Sequence, residues 1–234
     1  MVRVGIKILL TIFIISAASW AQPKLYIPEP TFDFGYMPEG TYVVHKFVIK
    51  NAGTDILKIR RIRTTCSCTW APIKTHIIKP GEQTELSLFF NSARYFHRTA
   101  KAAIIITNDP EAPAEKVMII ANMDTAKQKT VLIVPWKLDL GVGWKFKPQG
   151  TVKIKNITHK PVTLKIIDYF DEALEEPVLS TSQLQPGTWA ELKISVKKGA
   201  AKEHYIHASV TVSVLGQAGN EITRFTIPVC GGTE

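Results

Sequence analysis

The chain repeats itself, and this constrains its fold more than anything else in the sequence. Phe32-Asp33-Phe34-Gly35 returns as Leu138-Asp139-Leu140-Gly141, and Phe47-x-Ile49-x-Asn51 returns as Val152-x-Ile154-x-Asn156. Leu57-x-Ile59 has its counterpart in Val162-x-Leu164. Pro80-Gly81 with Leu86-x-Leu88-x-Phe90 has its counterpart in Pro186-Gly187 with Leu192-x-Ile194-x-Val196. The offset stays at 105 or 106 residues throughout. A unit of about 100 residues, a common domain size, is therefore used twice.

Each copy reads as β structure. Apolar and polar residues alternate over short runs, and the turns carry Asn-Ala-Gly, Lys-Pro-Gly or Gln-Pro-Gly. Residues two apart on a strand share a face, so Phe47 with Ile49, and Leu86 with Leu88 and Phe90, are expected in a core. Many short strands with frequent turn signals predict an all-β chain of two tandem immunoglobulin-like antiparallel β-sandwiches. The expected boundaries are residues 22–125 and 131–234, joined by the polar linker Ala126 to Thr130. Each half, with its own core, is expected to fold when separated there.

Residues 1–21 place Arg3 and Lys7 before the apolar run Ile8 to Ile15 and end in Ser19-Trp20-Ala21. This is the pattern of a cleaved secretory signal peptide, and the run is shorter than the roughly 20 residues of a membrane span. The expected product begins at Gln22, is soluble, and works in the periplasm or outside the cell. Loss of Arg3 and Lys7 takes the net charge from +9 to +7. A basic exported chain points to an envelope or secreted protein, or an anionic surface polymer, as partner, and away from nucleic acid. The densest basic cluster is Lys58-Ile59-Arg60-Arg61-Ile62-Arg63. Its interleaved apolar residues suggest a half-buried strand whose solvated face presents Arg60, Arg61 and Arg63 as candidate binding residues.

Several motifs of the first copy occur in order over residues 31–123: Phe32-Asp33-Phe34-Gly35, Phe47-Val48-Ile49-Lys50-Asn51-Ala52-Gly53, Cys66-Ser67-Cys68-Thr69, Pro80-Gly81-Glu82 and Thr107-Asn108-Asp109. With these the copy resembles the bacterial Ig-like domain-of-unknown-function 1573 family, which is similar to the ASH, Hydin and major-sperm-protein modules. The usual Cys-Gly-Cys-Thr of that family stands here as Cys-Ser-Cys-Thr. The second copy has Asp171 and Ala173 near the aligned cysteine positions, so it lacks whatever Cys66 and Cys68 do. The resemblance implies a sandwich fold and export, and it supplies no activity.

Residues 22–234 contain no Gly-x-Ser-x-Gly elbow, His-Glu-x-x-His helix or phosphate-binding glycine loop, so no enzyme is expected. His204 and His207 would point to opposite faces of a strand, and His45 reads as structural. Asp171, Glu172, Glu175 and Glu176 form an acidic loop patch without the ligand spacing of a calcium loop. Cys66 and Cys68 keep three readings. They can be a Cu(I) site, since soft thiolates select that ion and a closed zinc site needs four ligands; a disulfide or redox pair; or packed thiols. In an extended strand the two lie about 6.6 Å apart on one face, too far for a disulfide unless the backbone turns at Ser67. The Thr and Ser residues around them suit such a turn. No other cofactor is expected, and Cys230 is expected to stand apart. Asp124-Thr125-Ala126 resembles an O-glycosylation acceptor motif of Bacteroidota, and an ordinary linker reads the same way.

The function expected is a noncatalytic one: binding a protein or cell-surface partner, or serving as an envelope structural module. Two rivals are a copper-binding or thiol-redox protein using Cys66 and Cys68, and a periplasmic assembly chaperone that lends a strand. Val117, Ile119, Ala121 and Met123 have the alternation such a donor strand needs.

Overall fold

The computed structural model describes residues 21–201 and 205–233. Residues 1–20, and with them nearly all of the expected signal peptide, lie outside the described residues, as does His204. In chain order the strands are β1 (Leu25–Tyr26), β2 (Thr31–Tyr36), β3 (Tyr42–Asn51), β4 (Leu57–Thr64), β5 (Thr69–Trp70), β6 (Ile77–Ile78), β7 (Gln83–Asn91), β8 (Arg98–Thr107) and β9 (Ala114–Asn122). They continue as β10 (Val131–Val134), β11 (Leu138–Val142), β12 (Gln149–Asn156), β13 (Val162–Tyr169), β14 (Val178–Leu179), β15 (Gln183–Leu184), β16 (Trp189–Ser195), β17 (Ile206–Leu215) and β18 (Glu221–Gly232). Two short 3-10 turns, Thr125–Lys127 and Gly143–Lys145, are the helical segments among the described residues, and the chain is all-β. None of the described helices is long and apolar enough to cross a membrane.

The strands form several sheets. One four-stranded sheet runs β1-β3-β7-β5, and a second runs β10-β12-β16-β14 in the corresponding order. A ten-stranded sheet runs β15-β13-β17-β18-β2-β9-β8-β4-β6, with β11 also on β18. Alternation explains the faces. Phe47, Ile49, Leu86, Leu88 and Phe90 are at most 1% exposed and join a buried cluster drawn from Leu25 to Met123. A second cluster draws on Val131 to Val229 and also takes in Val44. Strand β3 is thus buried on both faces: Val43 points into the first cluster and Val44 into the second.

The repeated asparagines do one job twice. Asn51 donates from Nδ2 to the carbonyls of Asp55 (2.7 Å) and Ile78 (2.9 Å). Asn156 donates likewise to Lys160 (2.8 Å) and Leu184 (3.1 Å). Both asparagines are buried, and these bonds satisfy side-chain amides that solvent does not reach. The long sheet crosses between the halves where Phe225 of β18 pairs in parallel with Tyr36 of β2. Beside that pair, Thr226 Oγ1 donates to the Phe34 carbonyl (2.6 Å) and Arg224 Nη1 to that of Asp33 (2.9 Å). Gly35 lies at φ +66°, where an added Cβ would sit 2.1 Å from the Arg224 carbonyl oxygen. A side chain there would block the seam.

The expected linker is not a free tether. Gln128 is buried, accepts the Val131 N–H (3.1 Å) at Oε1 and donates to the Val131 carbonyl (2.9 Å). Its polarity serves the start of β10 instead of solvent.

Candidate functional site

Strand β4 and the turn after it bring the cysteines and arginines of the first half to one corner. The chain turns over Thr65 to Cys68, and the Cα atoms of Cys66 and Cys68 come to 5.2 Å, where a disulfide joins them. The side chains of Thr64 and Thr69 each donate to the Cys66 carbonyl (3.2 Å), and the Asn91 N–H donates to that of Cys68 (2.8 Å). The Tyr95 hydroxyl donates to Cys68 Sγ (3.3 Å). In this state neither sulfur is a thiolate, so Cu(I) ligation would first require reduction. Among the described residues no group of three or more His, Cys, Asp or Glu side chains is placed to hold a metal ion.

Arg60, Arg61 and Arg63 are all exposed. Strict alternation would put Arg60 and Arg61 on opposite faces, but the pairing of β4 with β8 slips between Ile59 and Arg61. The slip is a bulge, and it turns both side chains to solvent. Beyond it Arg61 sits opposite Ile106 and Arg63 opposite Ile104. The arginine ion pairs among the described residues are Arg98–Asp33 and Arg224–Glu221, so these three side chains have no carboxylate partner there.

The corresponding corner of the second half is occupied. Strand β13 also slips, two residues further along, between Ile166 and Asp168. Asp168 meets His45 Nδ1 at 3.0 Å, and the His45 ring stacks on Phe32 at 3.7 Å between centroids. The acidic loop expected at the surface docks on the first half: Asp171 pairs with Lys46, and Glu172 with Lys74 (3.0 Å). Glu85 pairs with both lysines. For Lys46, burial pulls the pKa down, but hydrogen bonds to Asp171 and Glu85 outweigh it and raise the ammonium above its ordinary value. Phe170 packs edge-on against Phe89 (5.5 Å), and the Ser209 hydroxyl accepts from the Val44 N–H (3.1 Å) and donates to its carbonyl (3.0 Å).

Near this junction a cavity of 140 Å³ is lined by Tyr42, Lys137, Tyr205, His207 and Cys230 among others. Cys230 is a buried free thiol opposite His207 on the neighbouring strand. Burial, then the charge of Lys137, holds His207 below its ordinary 6.5, so it is neutral at pH 7. Val117, Ile119, Ala121 and Met123 are buried in the first cluster, and β9 is paired on both sides, by β8 and β2. Strand β9 is therefore not free to be lent.

Sequence reasoning put the arginines on a solvated face and left a turn at Ser67 open as one of several readings. It missed the contacts of His45, Lys46, Asp168 and Ser209, which join positions more than 100 residues apart. One local signal existed: the adjacent apolar pair Val43-Val44, which strict alternation into a single core does not explain.

The class of the molecule is an all-β chain built of several mostly antiparallel sheets. Residues 25–130 match the family described as Protein of unknown function (DUF1573). The chain is similar to a protein of unknown function from Porphyromonas gingivalis W83 at 15% identity, over 88% of this chain and 99% of that one, with a TM-score of 0.35. It is similar to the ASH / PapD-like domain 7 of human CEP192 at 10% identity, over 50% and 96% of the two chains, with a TM-score of 0.37. The E. coli chaperone DraB is similar at 10% or less, namely 9% identity, over 87% and 95%, with a TM-score of 0.34. No curated protein matches the chain.

Proposed function

We propose that this chain is an exported, noncatalytic pair of Ig-like β-sandwiches that binds an anionic partner, a protein or a surface polymer, at the bacterial envelope. The observation that carries the reading is the row of Arg60, Arg61 and Arg63, exposed and without a carboxylate partner, at a corner whose counterpart is already used for docking. Unpaired guanidinium groups carry planar forks suited to carboxylate and phosphate. The correspondence of strand order supports reading the halves as two copies of one sandwich, and the bonds between Gln128 and Val131 support a boundary near the start of β10. An assembly-chaperone role belongs to the same class and would use an edge other than β9.

The test is in-cell photocrosslinking with benzoylphenylalanine replacing Arg63. A discrete adduct is expected, and it should vanish when Arg60 and Arg61 are also changed to Glu. An adduct indifferent to those changes sinks the reading.

The Cys66–Cys68 disulfide favours a second reading, thiol-redox or, after reduction, Cu(I) chemistry. Metal content and thiol labelling of the purified protein, compared with Cys66→Ser and Cys68→Ser, decide it.

A further inference from the structure

We propose that the free edge of β4, from Arg60 to Thr64, takes an acidic, extended segment of a partner protein as an added strand. The inference rests on the anionic-partner reading above and specifies who the partner is and how it binds. Strand β6 covers β4 only at Leu57 and Lys58, and the Ile59 N–H is taken by the His76 carbonyl (2.8 Å). Past that point no described strand lies on the side of β4 away from β8. An edge of this kind presents unpaired N–H and C=O groups, the template for strand addition. Five residues at about 3.3 Å each give some 16 Å of open edge, enough for a strand of ordinary length.

Charged side chains and bulges commonly guard such edges against any added strand. Here the guard is selective. The bulge sits at the near end, between Ile59 and Arg61, and Arg61 to Thr64 run regularly opposite Ile106 to Ala103. All the charge is of one sign. It repels a basic strand and accepts an acidic one, because opposite charges across paired strands attract and like charges repel. At the far end the turn closed by Cys66–Cys68 fixes where the edge stops.

The second half shows the chemistry at work with the signs exchanged. At its corresponding corner Asp168 and Asp171 face His45 and Lys46 of the first half. Arg63 stands where the second half has Asp168, and all three arginines lack a carboxylate partner among the described residues, so their complement is a carboxylate-bearing surface. The matching place on a second copy of this chain does not supply one. In the second half the place of His45 and Lys46 falls near Gly150 and Thr151, where Thr151 pairs with Lys193 and Lys153 follows. Basic would meet basic. The occupant is therefore a different, acidic protein segment.

The probe is the capped heptapeptide Glu-Val-Glu-Val-Glu-Val-Glu, titrated into 15N-labelled protein of residues 22–234. Amide signals of Arg60 to Thr64 should move. A version N-methylated along one edge, which keeps the charge and removes the N–H donors, should bind about tenfold more weakly. Changing Arg60, Arg61 and Arg63 to Glu should weaken the peptide by about tenfold or more, and the milder change to Gln should weaken it less, with circular dichroism confirming the fold. Equal affinity for the N-methylated peptide, or equal affinity for heparin, overturns strand addition and leaves the anionic-partner reading in place. Peptide binding indifferent to the arginine changes overturns both. No binding by the peptide while heparin binds overturns the inference alone, and no binding by either overturns both.

Discussion

Strands β4 and β13 hold corresponding places in the sheet order, each carry a bulge, two residues later in β13, and lead into turns, yet they end in opposite surroundings. The end of β13 is pressed into the junction: Asp168 against His45, Phe170 against Phe89, Asp171 against Lys46. The end of β4 carries Arg60, Arg61 and Arg63 in solvent and closes on the Cys66–Cys68 disulfide. The buried corner is held by tertiary contacts with the other half. The free corner has no such cover, and a covalent bond sets its shape. One backbone plan thus serves as an internal joint in one half and as an open surface in the other, and the side chains decide which.

The comparison breaks most easily at Phe170, which is 8% exposed, and at Thr65, which occupies the same place in the first half and is exposed. Phe170→Ala should cost about 3 kcal/mol, the range for truncating a buried aromatic ring, whereas Thr65→Ala should stay within about 1 kcal/mol. Urea unfolding of the two variants measures both. Similar costs would mean that the two corners are equally exposed or equally buried, and the contrast would fall.

The disulfide is the next largest effect. It closes a very short loop, with sequence separation 2, so constraint of the unfolded chain supplies only about 1–2 kcal/mol, less than the roughly 3 kcal/mol of a 15-residue loop. Changing Cys66 and Cys68 together to Ser should lower stability by that amount and leave the junction intact. A loss above about 3 kcal/mol would show that the turn supports the core as well as the corner.

Much of this was legible in the sequence because it follows from local rules. Period-two alternation placed Phe47, Ile49, Leu86, Leu88 and Phe90, all at most 1% exposed. Threonine and serine around Cys66 and Cys68 announced the turn that brings the sulfurs together. The doublet Arg60-Arg61 carried the trace of a bulge, since two solvent-facing residues in a row break alternation. The junction was illegible for a physical reason. Alternation shows which face of a strand is apolar but does not identify what covers the opposite face. Lys46 and Asp171 look like ordinary surface charges until the fold sets them side by side.

The smallest expected effect is electrostatic, and it separates the two corners by pH. Lys74 holds the Glu85 carboxyl below its ordinary 4.5 by hydrogen bonding, against burial, and Lys46 adds to the lowering. A carboxyl depressed in the folded state contributes stability that is present above its unfolded value and lost as pH falls through its folded value. The loss therefore begins near pH 4.5 and runs downward. The Lys74 ammonium is raised by its hydrogen bonds to Glu85 and Glu172, so its share disappears only in strong alkali. With side-chain exposures of 15–56% in these lysine pairs with Glu85, the contribution should be no more than about 1 kcal/mol. Melting temperatures from about pH 5 to about pH 3 should fall faster for the native sequence than for Glu85→Gln, which has already lost the pairs. Groups outside the network, His207 among them, titrate in both proteins and cancel in the difference. Arg61→Gln, at the corner with no carboxylate partner, should keep the native slope. Parallel slopes for the native protein and Glu85→Gln would remove Glu85 from the joint and leave the burial of Phe170 and the Ser209–Val44 bonds as what holds the halves together.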